Sequence, residues 1–162
     1  MDVRVQVTGL NQFLTEIYAT EMRLSRLLMQ LGFHQAEINR LRQCHLEDVV
    51  ACYLQGLEER IVTGVDGGRR YHILVRYHGL DGEVPETLAT IGNRLGISRE
   101  RVRQLKEKVI KKCRSRKNKA ALESRLQEMG LELLHTSPPA PTEHIHEQRD
   151  DKTAREINPT CR

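Results

Sequence analysis

The stretch Thr87 to Val109 constrains the fold more than any other part of this chain. Thr87 has the chemistry of a helix N-cap, and Leu88, Ile91 and Leu95 follow it at helical spacing. Gly96 stops that helix, because glycine accepts the left-handed conformation that helix ends require. Ser98 caps a second helix, on which Val102, Leu105 and Val109 form an apolar stripe. Two short helices with facing stripes and a tight glycine turn make a helix-turn-helix. Gly92 lies beside the first stripe, where a missing side chain allows the helices to approach closely.

The outward face of the second helix is polar. Glu100, Arg103, Gln104 and Glu107 share it at i, i+3, i+4 and i+7, and Arg99 lies alongside. Arginine, glutamine and glutamate are side chains that pair with base edges in a major groove. The plain alternative is a solvated amphipathic helix, but the capped partner helix, the glycine turn and the clean inner stripe weigh against it. Charge is concentrated in the same place. The chain of 162 residues has a net charge of +4. Between Arg94 and Lys119 twelve bases face two acids, while the remainder is mildly acidic. A local basic block on a helix-turn-helix suits a polyanion.

The run from Gly79 to Lys112 resembles region 4 of sigma-70-family RNA polymerase sigma factors, which are bacterial. Gly79-Leu80-Asp81-Gly82, Thr87-Leu88, Ile91-Gly92, Leu95-Gly96-Ile97-Ser98 and Arg99-Glu100-Arg101-Val102-Arg103-Gln104-Leu105 fall in that family's order and spacing. Leu74-Val75-Arg76-Tyr77 looks like a degenerate form of the helix that precedes them. The resemblance implies that Arg99, Glu100, Arg103 and Gln104 contact the bases of a promoter hexamer. It places Arg94, Arg101 and Lys106 against phosphates, and Thr87 and Ser98 at helix N-termini whose backbone amides suit phosphate as well. It also implies double-stranded DNA as a partner. RNA polymerase core is a further one, through the flap of its β subunit, with Arg69 to His78 as the docking helix. Val109 and Ile110 stand where the family usually has alanine and leucine, and the basic run after them suits the backbone of adjacent DNA or plain solvent.

The whole chain reads as all-α: an N-terminal helical bundle, the helix-turn-helix, and a disordered C-terminal tail. Residues 1–62 are read as a helical domain for oligomerisation or partner binding. Val3, Val5 and Val7 alternate as in a short extended arm. From Leu10 a long helix is expected to run to Gly32, with Leu10, Ile17, Leu24 and Leu31 recurring every seven residues. That seam suits a homodimer contact, a helical hairpin or a buried bundle helix. Gln35–Gln43 and Leu46–Ile61 are two further helices. This segment is too short and too poor in aromatics for the promoter-melting region of a sigma factor, so a complete initiation factor is not expected. Thr63 to Gly68 is a link or a turn, and Arg69–His78 is a helix. Residues 63–118 form the region 4-like unit. An amphipathic helix follows over 119–134, with Leu122, Leu126 and Met129 on one face. The tail is placed at 135–162, because its proline-rich and polar composition cannot bury enough apolar surface to order itself.

No phosphate-cradling glycine loop, nucleophile–base set or metal-ligand spacing is present, so no enzyme, cofactor or metal is expected. His144 and His146 in the tail are not assigned a metal. Cys44, Cys52, Cys113 and Cys161 form no C-x-x-C pair, which fits reduced thiols. The chain lacks a signal pattern and a membrane-spanning run, so a cytoplasmic location is expected. The function expected is that of a DNA-binding transcription regulator associated with polymerase. Two alternatives are a region 4 mimic that binds polymerase or a sigma partner without reading DNA, and a dimeric operator-binding repressor.

Overall fold

The first helix begins at once. In a computed structural model of the chain, which describes residues 2–136, α1 spans Val3–Tyr18. The side chain of Asp2 accepts a hydrogen bond from the amide of Arg4 at 2.8 Å, and the amide of Asp2 donates to the carbonyl of Gly82 at 3.3 Å. The alternating valines are therefore helical and not an extended arm. Local β preference is weak against a capped helix start and a tertiary tie, since Gln6 also donates to the carbonyl of Leu80.

The expected long helix is broken. Ala19 takes a left-handed conformation (φ 54°) and ends α1. Thr15 then accepts from the amide of Met22, and the side chain of Asn11 accepts from the amide of Leu24. Two polar side chains of α1 thus satisfy the returning backbone, and α2 (Leu24–Gln30) folds back beside α1. The heptad seam is spent inside the chain: Leu10, Ile17 and Leu24 are all buried.

The rest follows the expected order. Helix α3 is Gln35–Cys44, with Glu37 reaching back to the amide of His34 at 2.8 Å. Helix α4 is Leu46–Ile61, and a turn with left-handed Gly64 and Asp66 leads into α5, Gly67–His78. Helices α6 (Leu88–Leu95) and α7 (Arg99–Arg114) form the helix-turn-helix. Helix α8 runs from Arg116 through Thr136, past the expected helix end at Leu134. All eight elements among the described residues are α-helices. Residues 1 and 137–162 lie outside them, and with them His144, His146, Cys161 and all but the first two residues of the expected tail.

Two apolar clusters hold these helices. The larger joins Leu10, Phe13, Leu14 and Ile17 of α1 with Tyr53 and Leu57 of α4 and Leu122 and Leu126 of α8. It also takes in Leu74 of α5 and Val109, Ile110 and Cys113 of α7. The smaller is the seam of the helix-turn-helix with α5 behind it: Ile73 of α5, Ile91 of α6, and Val102 and Leu105 of α7. The front half of α7 thus belongs to the small cluster and its rear half to the large one.

Candidate nucleic-acid interface

The turn between α6 and α7 is built as its residues require. The hydroxyl of Thr87 accepts from the amide of Thr90 at 3.2 Å, and that of Ser98 from the amide of Arg101 at 3.1 Å. Gly96 sits at φ 66°, the left-handed C-cap, and the amide of Ile97 donates to the carbonyl of Gly92 at 3.0 Å. A Cβ on Gly92 would lie 2.7 Å from the carbonyl oxygen of Ile97, so the close approach excludes a side chain there. Ile91, Val102 and Leu105 are 1%, 0% and 1% exposed, which fixes the rotation of α7 about its own axis.

That rotation turns Arg99, Glu100, Arg103 and Gln104 to solvent. None of them is covered by the first sixty residues. They are not independent of one another. The guanidinium of Arg103 bonds both carboxylate oxygens of Glu100, at 2.7 and 2.9 Å, and on its other side pairs with Glu107. Gln104 donates to Glu100 at 3.4 Å. The Arg103 hydrogen bond, helped by its charge, holds the Glu100 carboxyl below the usual carboxylate range. Arg103 is therefore held extended along the helix surface between two acids.

The residues expected at phosphates divide into two groups. Arg101 is exposed, and no carboxylate among the described residues lies within ion-pair distance of it. Arg94 and Lys106 are already engaged. Arg94 bonds Glu86 at 2.6 Å, and Glu86 also takes Arg76, which in turn holds Asp81 at 2.5 Å. This chain of charges pins the loop before α6 to α5. Lys106 sits 4.0 Å over the ring of Tyr77 and 3.5 Å from Glu16 of α1. Glu16 also accepts from the buried His78 at 3.1 Å, and its backbone carbonyl accepts from Arg114. The hydrogen bond to His78, followed by the charges of His78 and Lys106, draws the Glu16 carboxyl down despite its partial burial.

Thr87 stays exposed, but it lines an open cleft with Gln12 and Glu16 of α1 on the far side. The opposing pairs on α7 were legible in the i, i+3 and i+4 spacing of Glu100, Arg103 and Glu107. The ties of Glu86 to Arg76 and of Glu16 to Lys106 bridge separate elements and leave no periodic trace in the sequence.

No three histidines, cysteines or carboxylates among the described residues converge where they could hold a metal ion. No described helix is long and apolar enough to cross a membrane. Residues 69–115 match the family model for Sigma-70, region 4, and so form a Sigma-70 region 4 domain with its helix-turn-helix. The match opens within α5 and closes at Ser115, the C-cap of α7, so α1–α4 and α8 lie outside it. No solved structure matches the chain.

Proposed function

We propose that this protein is a sequence-specific DNA-binding transcription regulator that lays α7 into the major groove of promoter-type duplex. In this reading Arg99, Glu100, Arg103 and Gln104 meet base edges. Arg101 and the helix N-termini at Thr87 and Ser98 meet phosphates, joined by Arg94 and Lys106 once these loosen from their carboxylates. The observation that carries the reading is the exposure of those four side chains on a helix whose opposite face is fully buried. The pairing of Arg103 does not obstruct it. Exposed ion pairs are worth about 0–1 kcal/mol, whereas a bidentate arginine–guanine contact discriminates by about 1–3 kcal/mol. Glu100 and Glu107 thus hold the guanidinium ready and yield it to a base.

Association with RNA polymerase is a separate part of the proposal, supported by the family match alone. The apolar side of α5, the helix expected to dock on the polymerase flap, is packed against this chain's own helices through Ile73 and Leu74. A polymerase contact would use the remaining exposed surface of the domain. A mimic that ignores DNA is the weaker reading, since it has no use for an exposed reading face.

Fluorescence anisotropy on promoter-like and scrambled duplexes tests base reading. Arg103→Ala and Gln104→Ala should each cut the preference for the cognate duplex by about tenfold, the equivalent of one good base contact. Their effect on scrambled duplex should be much smaller. Equal loss on every sequence would refute base readout.

A further inference from the structure

The cations around α7 are not distributed evenly in their pairing. On one flank of the helix, Arg103 is held by Glu100 and Glu107, Lys106 by Glu16, and the neighbouring Arg94 by Glu86. The opposite flank carries Arg101, Lys108 and Lys112. Their spacing of i, i+7 and i+11 places them along one edge of the helix, over about 16 Å. None of these three has a carboxylate partner among the described residues; the ammonium of Lys112 donates only to the hydroxyl of Thr63, at 2.9 Å.

At Lys112 this edge runs into an open groove of about 1000 Å³ between α4 and α8. Arg60 and Lys117 line it, and Arg60 bonds only the neutral side chain of Asn118, at 3.0 Å. Arg125 is also there, but its guanidinium pairs with Glu59, and Glu128 adds a second carboxylate to the rim. The unpaired cations therefore continue from the reading helix into the groove, with the hydroxyl of Thr63 and the amide of Asn118 between them.

We propose that this edge and groove form the track for one DNA strand's phosphates, with Arg101, Lys108, Lys112, Lys117 and Arg60 as its charges. The proposal rests on α7 entering a DNA groove, as argued above. A helix in a major groove has a phosphate backbone on either side of it, and the flank free of internal pairing gives up no ion pair on meeting one. Both walls of the groove, α4 and α8, lie outside the Sigma-70 region 4 match, so this part of the track is a property of this chain's own architecture. It lengthens the footprint beyond the bases that α7 reaches.

The salt dependence of duplex binding by the full chain tests this. Lys108→Gln/Lys112→Gln/Lys117→Gln should lower the slope of log affinity against log salt by about 0.9 for each phosphate no longer neutralised, or nearly three in all. Its preference for cognate over scrambled duplex should persist. Arg23→Gln/Arg26→Gln/Arg42→Gln removes the same charge from α2, its entry and α3, and should leave the slope near that of the wild type. Thermal melting of both variants checks that each folds. A Lys108/Lys112/Lys117 variant with the wild-type slope, or two variants with equal reductions in slope, overturns the track and leaves base reading intact. A wild-type chain with no salt-dependent duplex binding overturns both.

Discussion

Gly9 offers a test of how α1 is fastened to α5. It is buried on α1, and a Cβ built there would lie 1.8 Å from the carbonyl oxygen of His78. That oxygen is backbone and cannot rotate away. For Gly9→Ala the gap must open to at least 3.0 Å, so α1 and the end of α5 separate by roughly 1.2 Å. Neighbouring ties are strained by the same movement: Gln6 to the carbonyl of Leu80 at 3.0 Å, and Glu16 to His78 at 3.1 Å. Overpacking costs about 1–3 kcal/mol, and a weakened hydrogen bond adds about 1 kcal/mol. Against this, alanine gains about 1 kcal/mol over glycine within a helix. The net is a loss of about 2 kcal/mol, or a fall in Tm of about 6 °C for a chain of this size. Gly68 is the control. It lies in the first turn of α5, and a Cβ added to it would meet nothing within 4 Å, so Gly68→Ala should melt at or slightly above the wild type. Thermal denaturation followed by far-UV circular dichroism compares the two. A Gly9→Ala variant that melts no lower than the Gly68→Ala variant would show that α1 does not press on α5 as described.

Three further outcomes are expected. Ser98→Ala removes the acceptor for the amide of Arg101 and should cost about 1 kcal/mol in urea unfolding; an unchanged midpoint would mean that the cap contributes nothing. Glu16 has its carboxyl drawn below the ordinary value of 4.5, so its stabilisation is complete above that value and disappears as the pH falls through the lower folded one. Glu16→Gln should therefore be less stable than the wild type near neutrality, the difference shrinking as the pH falls below 4.5; a difference that persists unchanged to about pH 3 speaks against this. Burial pushes the Cys113 thiol up to about 11, whereas Cys44 is exposed. Alkylation at about pH 8 with peptide mapping should label Cys44 in the folded protein and Cys113 only after denaturant is added; early labelling of Cys113 would contradict its burial.

The helix-turn-helix was legible because its signals are local. Two caps, one left-handed glycine and the facing residues Ile91, Val102 and Leu105 all lie within a single stretch of sequence, and each appears where the residue types place it, whereas Ile73, which completes the seam, comes from α5. The helices Gln35–Cys44 and Leu46–Ile61 were legible for a similar reason, through periodic apolar residues between clear stops. The start of α1 and its break were not. The amide of Asp2 is tied to Gly82, and the break at Ala19 is stabilised by Asn11 and Thr15 reaching across to Leu24 and Met22. Such bonds join residues whose proximity is a product of the fold. The candidate site divides in the same way. Outward placement of Arg103 and Gln104 follows from helical phase, but the engagement of Lys106 by Glu16 depends on where α1 lands.

Helix α7 has two anchorages, and they are unequal. Its first turns are fastened by Val102 and Leu105 to a small cluster, and its last turns by Val109, Ile110 and Cys113 to the main core. Amide hydrogen exchange along this one helix should therefore be graded, with the front amides opening at a lower free energy than the rear ones. A helix so held can shift its leading turns to suit a sequence while its trailing turns stay put, and binding of DNA should slow exchange most at the front.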